Sequence, residues 1–170
     1  MLTEKLLDVD PDSLVIKRAS CHGTLQGLMD SMSEIRKADK KCIIQVFDPE
    51  AIVSREHIIA SYINALASFS EKANRAGSVS VEMLLFAAMT RQISAAIKLV
   101  GAKSEDGFVL FTNSKRAYTK LRGRLKGVSE FKPTERESLR AARNLGIKAK
   151  SASSVTRTLL QEMALSGLEQ

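Results

Sequence analysis

The chain has 170 residues, 44% hydrophobic and 26% charged, with 9 Gly and 3 Pro; this fits one globular domain and excludes collagen-like, low-complexity or wholly disordered sequence. Its longest apolar run, Met83 to Met89, falls far short of the roughly 18 residues of a membrane span, and the acid-rich start Met1 to Asp12 lacks the apolar core of a secretory signal, so a cytoplasmic location is expected. The formal charge is +7, and two cysteines, Cys21 and Cys42, with no CxxC spacing encode neither a disulfide scaffold nor a zinc knuckle.

Leu14 to Ala19 is a β-compatible run, and Thr24 opens a helix with Leu25, Leu28, Met29, Met32 and Ile35 at helical spacing. Cys42 to Phe47 is a second strand, ended by Asp48-Pro49, a pair suited to start a short helical turn. Ser54 caps a long helix expected to reach about Ala76, with Ile58, Tyr62, Leu66, Phe69 and Ala73 inward and Gly77 as its stop. Ser80 starts another, with Val81, Leu84, Leu85 and Ala88 inward. Thr90 offers a cap for a fresh helix to Gly101, so one bent helix and two separate helices both stay open. Phe108 to Thr112 is the third strand, after the turn-like Ser104 to Gly107. Ala117, Leu121 and Leu125, spaced by four, predict a helix. Thr134 and Glu137 form a capping box for a helix to Asn144, stopped by Gly146. Ile147 to Lys150 is read as a short fourth strand. Ser153 opens a final helix with Val155, Leu159, Met163 and Ala164 inward and Leu160 and Leu168 beside them. No repeat or linker interrupts the pattern, which predicts a single α/β (α+β) domain over 1–170.

The positive charge is concentrated. Residues 115–150 hold twelve cations against Glu130, Glu135 and Glu137, a net +9, while the rest of the chain, with 14 cations and 16 acids, is −2. A local basic excess is the footprint of a polyanion, with a solvated, solubilising helix face as the alternative. Aromatic residues are only 5% and Trp is absent, so an aromatic base-stacking platform is poorly supplied.

Catalytic chemistry has little support. His57 lacks a second His at metal-ligand spacing and is read as a surface residue, and His22 beside Cys21 as part of a turn. No GxGxxG or GxxxxGK[ST] is present, and Asp8, Asp10 and Asp12 lack the glycine and distal Glu of a calcium loop. No catalytic residue, metal or cofactor is therefore expected.

Ser54-Arg55-Glu56-His57, Ser80 to Leu85 and above all Arg91-Gln92-Ile93-Ser94-Ala95-Ala96-Ile97-Lys98-Leu99-Val100-Gly101-Ala102-Lys103 resemble the PRPK-binding protein family, the small tRNA-binding subunits of the KEOPS complex. The resemblance runs from about Leu14 to Thr112 and weakens beyond. It implies a small antiparallel sheet of about four strands flanked by helices and a non-catalytic part in making threonylcarbamoyladenosine beside the tRNA anticodon. The single-stranded CCA tail would meet Arg91, Gln92 and Ile93, with Lys98 and Lys103 adding charge. Ile93, Ile97 and Val100 share a helical stripe, so two of the three are expected in the core. Glu82 is explained by its place near a helix amino end. The resemblance also implies that the final helix, about 153–168, binds the kinase-like ATPase subunit, through Leu160, Met163 and Leu168. The basic segment 115–150 would then contact the tRNA body or keep the protein soluble. A rival reading takes residues 134–168 as the helix-turn-helix of a DNA-binding regulator, although Arg157 is the one cation of its recognition helix. Oligomeric state is not encoded in any pattern found.

Overall fold

Strand and helix patterns meet in a computed structural model that describes residues 9–168, with side chains through residue 165. The chain forms two compact units, one from Asp10–Pro49 and Ala102–Phe131, the other mainly from Glu50–Gly101 and the chain from Lys132 onward. Among the described residues, seven α-helices and a four-stranded antiparallel sheet make an α+β fold, the class expected from the sequence.

In the sheet unit, β1 (Val15–Cys21), β2 (Ile44–Phe47), β3 (Phe108–Thr112) and β4 (Leu125–Glu130) are ordered β2-β3-β1-β4. Side chains alternate across a strand, so Ala19 and Cys21, Ile44 and Val46, and Phe108 and Leu110 share one face. They form a buried cluster with Leu28 and Met32 of α1 (Leu25–Ala38) and Ala117 and Leu121 of α5 (Lys115–Leu121). The Thr24 hydroxyl accepts the Gly27 N–H, as the cap expected there requires. Both cysteines are buried and free.

The fourth strand is not where the sequence pattern put it. Ile147 to Lys150 forms no strand, and the helix expected through Leu125 stops at Leu121. A 3-10 turn, Arg122–Arg124, then leads into β4. Gly127 takes φ 59°, a left-handed conformation open to glycine, close to where the β1–β4 register shifts between Arg18 and Ser20. β4 is an edge strand with mostly exposed residues, so it carries little of the apolar signal by which strands are read. The Lys17–Glu130 ion pair and Arg18 over the Phe131 ring, 5.7 Å to its centroid, secure its end.

The helical unit contains α2 (Arg55–Ser70), α3 (Val79–Ala88), α4 (Ile93–Val100), α6 (Glu135–Asn144) and α7 (Ala152–Leu168). Every residue of α3 from Glu82 to Ala88 is buried, and α2, α4 and α7 pack against it. One helix interior therefore contains a carboxylate, Glu82, 1% exposed. Its Oε1 accepts the Ser68 hydroxyl at 3.0 Å, and its Oε2 accepts the N–H groups of Arg75 and Ala76 at 3.0 and 2.7 Å. This explains why α2 ends at Ser70 and not near Ala76. Lys72 turns left-handed at φ 57°, the Ala73 N–H closes back on the Ser68 carbonyl, and the Arg75 and Ala76 N–H groups bond to the Glu82 side chain and not to a helix ladder. The inward face of α2 is accordingly Ile58, Tyr62 and Ala65, with Leu66 and Phe69 only half-buried.

His57 also departs from its expected surface position: it is fully buried. Nδ1 accepts the Val53 N–H at 3.2 Å, which leaves Nε2 protonated to donate to the Ala87 carbonyl at 3.0 Å. Burial pushes its pKa down to about 4, against the hydrogen bond to Ala87, which favours the proton. The capping box expected at Thr134 and Glu137 is formed, and Ser138 donates to the Val53 carbonyl at 2.7 Å.

Two stability predictions follow from these buried groups. Glu82→Ala strands three donors and is expected to cost about 3 kcal/mol or more in urea denaturation, with Glu82→Gln milder because an amide oxygen still accepts. For His57, both folded and unfolded chains are neutral above about pH 6.5, where its contribution is fully present. As pH falls from 6.5 toward 4 the unfolded chain takes up a proton first, and stability is expected to drop by about 3 kcal/mol. His57→Gln removes that component; identical pH profiles for the two proteins would contradict the neutral, buried imidazole.

Candidate functional site

The break between α3 and α4 makes the site. Met89 adopts the left-handed conformation, φ 50° and ψ 41°, at the C-cap of α3, and the two helices are bent by 73°. Two helices form, not one bent helix. The Thr90 hydroxyl accepts the Gln92 N–H at 3.4 Å, a contact at the very residue whose capping potential marks the break in the sequence. Gln92 is the N-cap of α4 but makes no side-chain cap bond, so the first turn of α4 keeps N–H groups without a side-chain acceptor.

α4 presents an unusual face to solvent. Ala96 and Val100 are buried, whereas Ile93 is 39% and Ile97 51% exposed. The expectation that two of Ile93, Ile97 and Val100 belong to the core is therefore corrected: one does. Small Ala96 beside Val100 suffices for the buried face, and the i, i+4 pair Ile93 and Ile97 turns outward. Arg91, Gln92, Ser94 and Lys98 are exposed in the same short segment. Gly101 closes the helix for a steric reason, since a Cβ there would stand 2.5 Å from the Ile97 carbonyl oxygen.

Four of the five residues expected to meet tRNA, Arg91, Gln92, Ile93 and Lys98, are thus brought together at the start and on the surface of α4. Lys103 differs. It belongs to the sheet unit, where its ammonium pairs with the Asp48 carboxylate at 2.6 Å. Ile97 is the residue that sequence reasoning assigned to structure and the fold exposes; no pattern distinguishes it from Val100.

On α7, Val155, Leu159 and Met163 are fully buried against the helical unit. Met163, expected among the partner contacts, has no exposed surface to offer, because its i, i+4 spacing from Leu159 places it on the inward stripe. Ala164, expected inward, is exposed. Leu160 is 36% exposed and Leu165, not singled out in the sequence, 57%. The side chain of Leu168 lies outside the described residues. A cleft of about 410 Å³ runs beside this helix, between Met89, Leu145 to Lys148, Thr158 and Glu162.

A family model described as Kinase binding protein CGI-121 matches residues 26–167. The chain belongs to the CGI-121 family of kinase-binding proteins. The family is one of accessory proteins, generally non-catalytic, and its match continues through the basic segment to the last helix, well past Thr112, where the sequence resemblance weakens. No curated protein matches the chain.

The exposure of the α4 face has a direct check. Ile97→Ser is expected to change folding stability by no more than about 0.5 kcal/mol, whereas Val100→Ala costs about 2 kcal/mol in the same urea titration. Equal costs would place Ile97 in the core.

Proposed function

We propose that the chain is a non-catalytic subunit of a KEOPS complex in the cytoplasm, holding the CCA tail of tRNA and docking on the kinase-like ATPase subunit that supports threonylcarbamoyladenosine formation beside the anticodon. The observation that carries this reading is the exposed Ile93–Ile97 pair, set between Arg91, Gln92 and Lys98 at an uncapped helix start. Unpaired nucleotides need an apolar or planar surface for their bases, hydrogen-bonding groups for base edges, and cations or free N–H groups for phosphates. Ile93 and Ile97 supply the first, Gln92 the second, and Arg91, Lys98 and the first turn of α4 the third. An aliphatic surface in place of aromatic rings suits a chain so poor in aromatic residues.

For the kinase-like partner the support is the family itself and α7. Leu160 and Ala164, one turn apart, form an exposed stripe behind the buried Val155, Leu159 and Met163. The helix-turn-helix alternative has no such support. Residues 145–151 separate α6 from α7, longer than the three or four residues of that turn, and α7 uses its apolar stripe to pack on α2, α3 and α6.

Binding of the purified protein to intact tRNA, tRNA lacking CCA and duplex DNA, followed by fluorescence anisotropy at two salt concentrations, tests the reading. Removal of CCA and Arg91→Glu are each expected to weaken binding at least about tenfold, or 1.4 kcal/mol. Preference for a particular DNA duplex would favour the regulator. Leu160→Glu is expected to abolish capture of the kinase-like subunit without altering tRNA binding.

A further inference from the structure

The twelve cations of residues 115–150 do not form one segment in space: six fall in the sheet unit and six in the helical unit. The two halves are in different electrostatic situations. On α6, Arg136, Arg140 and Arg143 alternate with Glu135 and Glu137, and Arg140 pairs with Glu50 at 3.0 Å. In the sheet unit, Lys115, Arg116, Lys120, Arg122, Arg124 and Lys126 are all exposed, no acid occurs from Asn113 to Ser129, and none of the six makes an ion pair among the described residues. Ala117 and Leu121 are buried, which leaves Lys115 on the opposite face of α5 and Arg116 and Lys120 along its flank. Arg116 and Lys120 line a cleft of about 130 Å³ with Ser114 and Asp39, and the Arg122 guanidinium lies 6.0 Å from the centroid of the Tyr118 ring.

Six like charges on consecutive short elements, none held in an ion pair among the described residues and with Asp39 as the one acid in the cleft beside Arg116 and Lys120, repel one another and weaken the fold. We infer that the surface of α5, the Arg122–Arg124 turn and β4 is a second RNA-binding surface, one that grips the phosphates of double-helical RNA without reading sequence. The four exposed large apolar side chains among the described residues, Ile93, Ile97, Leu160 and Leu165, all belong to the helical unit. The basic surface thus lacks the apolar anchor on which a protein interface or membrane insertion depends, whereas phosphate binding needs charge alone. The choice of RNA rests on the tRNA reading above; the surface itself does not.

The test separates the two. Wild type, Arg91→Glu and the triple variant Arg116→Glu/Lys120→Glu/Arg122→Glu are titrated with a blunt RNA duplex of about 20 base pairs and with a short CCA-ended single strand, across a salt series. The triple variant is expected to lose about tenfold or more in duplex affinity at low salt, and its log K against log salt slope to fall by about 2 to 3, with binding to the single strand unchanged. Arg91→Glu is expected to do the reverse. Unchanged duplex affinity and slope in a triple variant that melts like wild type overturns the inference, as does tighter binding of the wild type to phosphatidylserine vesicles than to the duplex. If charge reversal impairs folding, glutamine at the same three exposed positions provides the comparison. Loss of CCA preference in the wild type defeats the tRNA-tail reading alone.

Discussion

The helical unit depends on a carboxylate that is buried with its hydrogen bonds complete. An unpaired acid at Glu82 would destabilise by several kcal/mol; with Ser68 and two backbone N–H groups as donors, it fixes where α2 ends and how the chain enters α3. His57 does a related job at the other end of that helix, tying the Ala87 carbonyl to the Val53 N–H through a neutral ring. Between these polar ties α3 is apolar on every side, which allows α2, α4 and α7 to close around it. The orientation of α4, and with it the exposed isoleucine pair, follows from this frame.

Elements with a strong local signal were legible in the sequence. Thr24, Ser54 and Thr134 cap the helices their spacing announces, and β2 and β3 are the apolar runs that pattern reading finds. The failures share a cause: long-range partners outweigh local preference. β4 is held by pairing with β1 and not by its own composition, so Leu125 reads as a continuation of a helix. His57 has the neighbours of a surface residue in sequence, and the groups that bury it, Val53 and Ala87, come from both sides of its helix. Of the candidate site, the polar residues Arg91 and Gln92 could be picked out, but the choice between Ile97 and Val100 could not. They stand three apart on one stripe, and only the depth of packing against α3 separates them.

The division of charge shows the same limit. Counting along the chain finds one basic stretch; the fold gives half of it to α6 and its surroundings, where Arg140 pairs with Glu50, and half to the sheet unit, where none of the six cations is held in an ion pair among the described residues. What matters for a polyanion is the uncompensated charge on one surface, and sequence windows measure that only when the window stays within a single folded unit.

The corner between α3 and α4 consists of Met89 to Gln92, and its length sets more than an angle. Each residue added or removed there turns the following helix by about 100° about its axis, because an α-helix has 3.6 residues per turn. A single deletion would carry Ile97 into the buried place of Ala96 and leave Ser94 and Lys98 where the isoleucines now face solvent. The left-handed Met89, a conformation that costs a non-glycine residue of order 1 kcal/mol, acts as a phase marker between the two helices, and substitutions in this corner are easier to accommodate than changes of its length.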